Sequence, residues 1–494
     1  MNRTIKKMNL LPVIFLIGGL FSSCDKGFED INKSVDFVSD PNLDFVLPAV
    51  ELNMLDRTYY TQGDFIAPIV GHVTQAKTFA SLTGIGGNHG YHFEYVYQTP
   101  LKGVSDLIER SKSDPNKVNY QSIGRIIKVY LMHQLTDVYG DIPYFEANKG
   151  YTEQIFTPKY DPQQKIYEDM FKELEQASMA LNVAKPVPPA ASDIVYKGDV
   201  TKWKKFANSL MLRLGLRIMK VDPVNGKLWI NKAISSGLLT SNTDNFTVLY
   251  IPSSYYGSTQ NGQPHTFIRY FNNYRYSEPF VNFLKDRNDP RISTYCMLPG
   301  STASYAAGDK TPSKQKGYPM FGAISESRSN FSVTNITTFG RYDAPYTHLS
   351  YAQVQLQLAE CVEKGIITGD AKTYYENGVR AAMDALKVYG PDGVISKAQA
   401  DAYLLGNPYP NTSEAAVELI NTQYWLETHV NYYETFANMR RSGYPKIYAK
   451  FTDGTVMPRR LTYLSKEVSI NPNAQEAIQR QGPDLVTTRV WWDK

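Results

Sequence analysis

Residues 193–214 read DIVYKGDVTKWKKFANSLMLRL, and the second half of this stretch has the spacing of an amphipathic helix. Its large apolar residues recur every three or four positions, and the pattern continues beyond the stretch (Trp203, Phe206, Leu210, Leu214, Ile218). Lys204 and Lys205 fall on the solvated side, and Asp199 is a residue type that begins helices. The stretch therefore predicts a helix that starts at Asp199 and buries Trp203.

The same helical period recurs on both sides of this stretch. Apolar stripes run through residues 123–138 and 166–181 upstream, and through 349–359, 375–386 and from 417 onward downstream. Helices of this length joined by short turns are typical of helical hairpins. We therefore predict an all-α fold in which tetratricopeptide-like hairpins form a right-handed superhelical scaffold.

Two segments interrupt the helical pattern. Residues 241–346 are rich in Gly, Ser, Asn, Pro and Tyr, and a shorter segment of the same character, 74–97, contains GIGGNHGYHFEY. Long irregular segments on a rigid scaffold commonly carry binding sites. Their many aromatic residues argue against disorder. We therefore expect a loop-rich insertion at about 241–346 to carry the ligand site, with help from 74–97.

The N-terminus has the pattern of an export signal. Three basic residues precede an apolar run over residues 10–21, which is shorter than the roughly 20 residues that span a bilayer. Two serines then lead to Cys24. The pattern predicts a lipoprotein signal peptide over 1–23, a lipidated Cys24 with a tether over 24–43, and a single domain over 44–494. An ordinary signal peptide with a chance cysteine is the alternative.

The charge and the tyrosine content argue against one class of partner and favour one kind of ligand. Removal of the signal peptide takes three basic residues from the formal charge of +4 and leaves +1, which argues against nucleic acid as a partner. The chain has 36 tyrosines, a residue suited to ligands with both hydroxyls and hydrophobic faces. The sequence leaves open whether Cys296 and Cys361 form a disulfide.

No motif predicts a catalytic site, a metal site or a cofactor. Asp141 and Glu146 could be an acid/base pair, but Gly140 and Pro143 indicate a helix end at which Asp141 binds backbone N–H groups. His89 and His92 are close together but lack further ligands at a spacing suited to zinc.

Several motifs, taken in order, resemble one known family. They are YGDIPYFEA (139–147), the stretch quoted first, NDPRI (288–292), YAQVQLQLAE (351–360), YYETFANMRRSGYP (432–445) and the closing RVWWDK. Together they resemble the SusD/RagB family of nutrient-binding outer-membrane lipoproteins of Bacteroidetes, in its SusD-like branch. The resemblance extends over nearly the whole chain after the signal peptide.

The resemblance implies a function and a partner. It implies a lipid-anchored protein of the outer membrane, facing the cell exterior, that binds oligomeric nutrients, chiefly glycans. It also implies that the protein passes them to a SusC-like TonB-dependent transporter and acts as its lid, without being an enzyme. A surface glycan hydrolase and a helical-repeat adaptor without a small ligand are the alternatives. Neither irregular segment contains Trp, which departs from the starch-binding member and leaves other glycans or peptides open.

The chemistry of sugars suggests which loop residues bind. A sugar ring packs its C–H groups on an aromatic face, and its hydroxyls bind amide or guanidinium groups. The candidate platforms are Tyr91, Tyr255, Tyr256, Tyr342 and Tyr346, and the candidate polar partners are Gln75, Asn88, Gln260 and Arg269. For each tyrosine, ordinary packing is the competing interpretation.

Overall fold

Helices account for most of the residues that the computed structural model describes, which are 42–55, 60–75, 90–251, 259–264, 274–300, 308–320, 324–450 and 456–494. The first half of the chain contains α1 (Leu43–Asn53), α2 (Ala67–Ile69), α3 (Tyr91–Gln98), α4 (Pro100–Ser111), α5 (Val118–Tyr139), α6 (Gly150–Glu153), α7 (Gln163–Ala180), α8 (Val200–Ile218) and α9 (Pro223–Ser236). The second half contains α10 (Glu278–Asp286), α11 (Ile292–Tyr295), α12 (Tyr351–Glu363), α13 (Ala371–Ala385), α14 (Lys397–Gly406), α15 (Ser413–Glu427), α16 (Tyr432–Ser442), α17 (Ser465–Ile470) and α18 (Asn473–Gln481). A π-helix occupies Tyr60–Ile66.

The stretch quoted first forms α8 as predicted. The Asp199 carboxylate caps the helix by accepting hydrogen bonds from the backbone N–H groups of Thr201 and Lys202. Trp203 is 0% exposed, and its indole N–H donates to Asp193 Oδ2 over 2.8 Å. Both the start of the helix and the burial of Trp203 are confirmed.

Neighbouring helices pack in pairs, as the helical period predicts. In the first half of the chain α4 packs on α5, α5 on α7, and α8 on both α7 and α9. In the second half α12 packs on α13 and α15, and α15 on α16. A large apolar core extends through both halves, and a smaller apolar cluster lies among α12, α13, α14 and α15. Residues Leu43–Lys494 form one compact unit.

Short antiparallel strand pairs connect the irregular segments to this helical frame. The strands are β1 (Val73–Gln75), β2 (Ile142–Pro143), β3 (Tyr160–Asp161), β4 (Phe246–Val248), β5 (Tyr274–Tyr276), β6 (Cys296–Met297), β7 (Val333–Thr334) and β8 (Tyr346–Leu349). The pairs are β1 with β5, β2 with β3, β4 with β8, and β6 with β7. Because Val248 pairs with Tyr346, the two ends of the long irregular segment are held together at the helical frame.

Charged side chains are buried between the helices as ion pairs. Arg217 donates to Glu434 Oε2 over 2.6 Å, and Arg441 forms two 2.6 Å hydrogen bonds to the carboxylate of Glu360. Each partner in these pairs is almost fully buried. Removing one member would leave a buried charge without compensation.

Residues near the end of the chain complete the core of the first half. Trp492 is buried, and its indole N–H donates to Asp137 Oδ1 on α5 over 2.8 Å. The Arg440 guanidinium lies 4.6 Å from the centre of the Trp492 ring. Asp493 accepts a 2.7 Å hydrogen bond from Arg459 Nε. The core around α5 therefore depends on residues distant in sequence.

The two described cysteines are separate. Cys296 and Cys361 are both buried, free thiols. The pairing that the sequence left open does not form in this structure. Over the described ranges, no helix combines the length and apolar character needed to cross a membrane.

Candidate functional site

The two irregular segments start from adjacent strand ends. β1 pairs with β5 so that Gln75 lies opposite Tyr274. Residues 76–89 follow Gln75 and residues 265–273 precede Tyr274, and both ranges lie outside the described residues. A third strand-like segment runs alongside, because Tyr318 N donates to Tyr276 O over 2.8 Å. The two irregular segments, which are far apart in sequence, therefore start from the same pair of strands.

A second point of contact lies at residues 259–264. Ile251 N donates to Thr259 O over 2.8 Å, which joins the two sides of residues 252–258. Asn261 N donates to Tyr342 O over 2.8 Å, and Asn261 Nδ2 donates to Ala344 O over 2.8 Å. These bonds place Gln260 and Tyr342 near each other.

The π-helix connects these parts to α3. Thr61 Oγ1 accepts a 3.2 Å hydrogen bond from His92 N, next to Tyr91, and Gln62 Oε1 accepts a 3.2 Å bond from Gln263 Nε2. π-Helical turns occur often at functional sites. We call the π-helix, Tyr91, residues 259–264, Tyr342 and the facing ends of β1 and β5 the loop-base surface.

The turn between α15 and α16 supports the loop-base surface from below. Gln263 Nε2 donates to Val430 O over 2.6 Å. The hydroxyl of Tyr276, on β5, lies 3.1 Å from His429 Nε2. One turn thus contacts both the π-helix side and the strand side of the surface.

Asp64 gives the loop-base surface a carboxyl group with an unusual pKa. Burial raises the pKa of Asp64 to about 7. Near neutral pH this group can therefore either donate or accept a hydrogen bond. Tyr91 and Tyr342, which are partly exposed, add aromatic faces of the kind that a hydroxyl-rich ligand packs on. The amides of Gln62, Asn261 and Gln263 are buried and bind one another or the backbone, so they hold the surface together.

The structure places the predicted ligand residues in three groups. Tyr91 is 37% exposed and Tyr342 is partly exposed on the loop-base surface, where the buried Gln260 and the backbone of Gln75 also lie. Asn88, Tyr255, Tyr256 and Arg269 lie outside the described residues. Tyr346, in contrast, is 1% exposed on β8 and packs 4.7 Å from the His348 ring. Its ring faces the core, so the structure places it beneath the surface rather than on it.

Two polar residues of the π-helix were not identified from the sequence. Gln62 and Asp64 follow Tyr59 and Tyr60 in a stretch whose apolar residues lead into Pro68. The sequence signal that could have identified them is the pair of amphipathic tyrosines close to an amide and a carboxyl side chain. A π-helix itself depends on tertiary contacts that a local pattern does not contain.

The carboxylates considered as an acid/base pair have structural partners. Asp141 Oδ1 accepts from Gln163 N over 2.8 Å, and Asp141 Oδ2 accepts from Arg480 Nε over 2.6 Å. Glu146 Oε2 accepts from Lys159 N over 2.8 Å. His92 stacks on Tyr433 with ring centres 3.9 Å apart. Within the described ranges, no group of three or more His, Cys, Asp or Glu residues is arranged to hold a metal ion.

Comparison with known proteins identifies the same family that the sequence motifs resemble. A SusD-like family model, described as starch-binding and associating with the outer membrane, matches residues 40–464. No curated protein matches the chain.

Solved structures share the fold over nearly the whole chain. A structure described as a chitin-binding protein is 30% identical, with a TM-score of 0.80, and the match covers 92% of this chain and 100% of that one. A SusD-like protein of Bacteroidetes is 26% identical, with a TM-score of 0.81 and the same coverage. A SusD homologue from Bacteroides fragilis, at 24% identity, a TM-score of 0.76 and the same coverage, confirms the fold.

Proposed function

Because the chain belongs to the SusD-like family of carbohydrate-binding proteins associated with the outer membrane, we propose that it captures oligomeric glycans at the cell surface. In this proposal it passes them to a SusC-like TonB-dependent transporter and acts as that transporter's lid. Cys24 carries the lipid anchor. Each buried methylene of an acyl chain contributes about 0.8 kcal/mol, so two or more chains are enough for stable attachment.

The observation that best supports a glycan site here is the pairing of Gln75 with Tyr274. It joins the two irregular segments at one base, and Asn261 adds Tyr342 to the same surface. Aromatic faces next to amide groups suit the alternating apolar faces and hydroxyls of a sugar chain. Tyr91 and Tyr342 are the described residues that we assign to ligand contact, with Asp64 and Gln260 supporting them.

We propose that binding occurs without turnover. Members of the SusD-like family are binding proteins. A glycosidase needs two carboxyl groups that face the scissile bond, one as acid and one as base or nucleophile. Asp343, next to Tyr342, is bound by Arg341 at 2.6 Å, and this partner holds the pKa of Asp343 below its usual range. An ion-paired carboxylate of this kind is a poor proton donor.

Isothermal titration calorimetry with the purified mature protein tests ligand binding. Oligomers of β-1,4-linked N-acetylglucosamine come first, because the 30% identical relative is described as chitin-binding. α-Glucans, plant glycans and peptides follow. Chromatography of the incubated ligand measures turnover at the same time, and release of shorter sugars would contradict the non-enzymatic proposal.

Two substitutions test the location of the site. Tyr91→Ala and Tyr342→Ala should each weaken binding about five-fold, the equivalent of one aromatic contact worth about 1 kcal/mol. Tyr151→Ala is the matched control, because Tyr151 is 99% exposed on α6, outside the loop-base surface. Unchanged affinity in both site variants would exclude these residues and direct attention to Tyr255 and Tyr256.

The transporter partnership has its own test. Affinity purification of the protein from detergent-solubilised outer membranes should recover a TonB-dependent transporter in a stoichiometric complex. Recovery of the protein alone, with glycan binding intact, would reject the partner and leave the ligand proposal standing.

A further inference from the structure

A small, partly enclosed cavity lies behind the turn that supports the loop-base surface. Its volume is about 50 Å³. One water-sized particle needs about 10–15 Å³ of such space, so the cavity holds only a few particles of that size. Its lining includes three aromatic side chains, called here the aromatic wall (Tyr295, Phe339, Tyr389). It also includes three polar side chains, called here the polar wall (Glu427, His429, Asn431), and the His429 ring packs against Phe339 and Tyr295.

Each of the three polar residues has one buried polar atom without a hydrogen-bond partner among the described residues. These atoms are Glu427 Oε2, His429 Nδ1 and Asn431 Oδ1. His429 and Asn431 are 4% and 2% exposed, so bulk water does not compensate these atoms. Buried polar atoms of folded proteins are nearly always paired, so three such atoms on residues that line one cavity can pair with a donor or cation that occupies it.

The other atoms of these groups are held in place. Glu427 Oε1 accepts from Ser350 Oγ, and Asn431 Nδ2 donates to His348 O over 3.2 Å. His429 Nε2 lies 3.1 Å from the Tyr276 hydroxyl. When Nε2–H donates to that hydroxyl, Nδ1 is an acceptor. The cavity then has a carboxylate oxygen, an amide oxygen and an imidazole nitrogen as acceptors.

The backbone of the turn is held in an unfavourable conformation. Val430 has φ = +68°, which is rare for a β-branched residue. Such backbone strain persists only where surrounding contacts fix it, and it is concentrated at functional sites. The 2.6 Å bond from Gln263 to Val430 O is one such contact.

The electrostatics of the cavity favour a cation. Burial raises the pKa of Glu427 to about 7 and outweighs Arg213 and Arg291, which lie near enough to lower that pKa, so a small cation in the cavity would favour the ionised carboxylate. The Phe339 ring lies 4.1 Å from Tyr389 and 4.8 Å from His429, centre to centre. Aromatic faces attract cations, most strongly when the site is dry.

We propose that this cavity binds one small monovalent cation, ammonium or potassium, between Glu427, Asn431 and the aromatic wall. One carboxylate balances one positive charge, and the three acceptors match three N–H donors of ammonium or three ligands of potassium. Calcium prefers six to eight oxygen ligands with several carboxylates, and the polar wall has one carboxylate. The bound ion stabilises the turn that contains His429 and Val430, to which Gln263 is hydrogen-bonded.

Thermal unfolding of the mature protein in matched salts tests the proposal. The melting temperature should rise and saturate in ammonium or potassium chloride relative to equal concentrations of tetramethylammonium chloride, whose cation is too large for the cavity. Glu427→Gln should raise the half-saturating concentration about ten-fold or more, the loss expected for a hydrogen bond to a charged group. Glu414→Gln, an exposed change on the same helix, should respond as wild type does.

The assignment would be overturned by a wild-type response in ammonium and potassium equal to that in tetramethylammonium, or by a Glu427→Gln response equal to that of wild type. A larger, Glu427-dependent rise in calcium chloride would also reject a monovalent ion. If Glu427→Gln does not fold, crystals of the wild-type protein soaked in rubidium chloride provide the test instead. An anomalous peak in the cavity supports the proposal, and water alone there refutes it.

Discussion

Truncation of Trp203 should destabilise the protein because the indole fills the centre of an aromatic cluster. Its ring lies 5.3 Å from Tyr196, 5.3 Å from Phe246 and 5.9 Å from Phe206, measured between ring centres. Trp203→Ala removes these contacts and leaves a cavity in a site that is 0% exposed. Such large-to-small changes cost about 3–5 kcal/mol of unfolding free energy.

A second variant separates packing from hydrogen bonding. Trp203→Phe keeps most of the ring contacts but removes the N–H donor to Asp193 Oδ2. Asp193 still accepts from Tyr196 N over 2.7 Å and from Gly198 N over 3.0 Å, so it is not left unpaired. We therefore expect a smaller loss of about 1–3 kcal/mol.

Urea unfolding followed by far-ultraviolet circular dichroism measures both losses, with unchanged slopes showing that the unfolded state is comparable. A loss below about 1 kcal/mol for Trp203→Ala would refute the packing argument. If Trp203→Phe were as damaging as Trp203→Ala, the hydrogen bond rather than the packing would be the main contribution.

Three further predictions concern the anchor and the buried acids. Cys24→Ala should release the protein from the outer-membrane fraction or leave an unprocessed precursor, and full retention after a high-salt wash would contradict the lipid anchor. Glu360→Gln should lower the free energy of unfolding in urea by about 3–5 kcal/mol, because it leaves the Arg441 guanidinium buried without its carboxylate. A loss below about 0.5 kcal/mol, which is typical of surface substitutions, would argue against this ion pair. Burial raises the pKa of Glu427 from 4.5 to about 7, so its contribution to stability is complete below pH 4.5 and lost as pH rises through 7. In buffers without ammonium or potassium, wild type should therefore lose more stability than Glu427→Gln between pH 5 and pH 8, and parallel pH profiles would reject the shift.

The helical frame could be predicted because its signals are local. In α8, the cap at Asp199 and the apolar stripe through Trp203 lie within one short stretch. The start of α7 is less local: Pro162 holds the cap position, and the preceding Asp161 does not cap the helix, because its Oδ2 accepts from Tyr144 N over 3.0 Å and from Phe145 N over 2.9 Å. Local pattern determines that a helix forms, whereas its first residue depends on distant backbone groups.

The candidate site could be predicted only as a region. Tyr91 and Tyr342 are both on the loop-base surface, but Tyr346, only four residues after Tyr342, is in the core. The difference arises because Tyr346 pairs with Val248, a contact between strands distant in sequence. The meeting of Gln75 with Tyr274 is of the same kind. Composition could indicate candidate segments, and non-local pairing determined which of their side chains face outward.

The bond between Trp492 and Asp137 has a consequence for the order of folding. It joins residues 355 positions apart, so the hydrophobic interior around α5 lacks one wall until nearly the whole chain is available. Contacts of such high sequence separation slow folding, since a long loop must close before they form. A truncation before residue 492 would then act as a core defect in the first half of the molecule, far from the site of the cut in sequence.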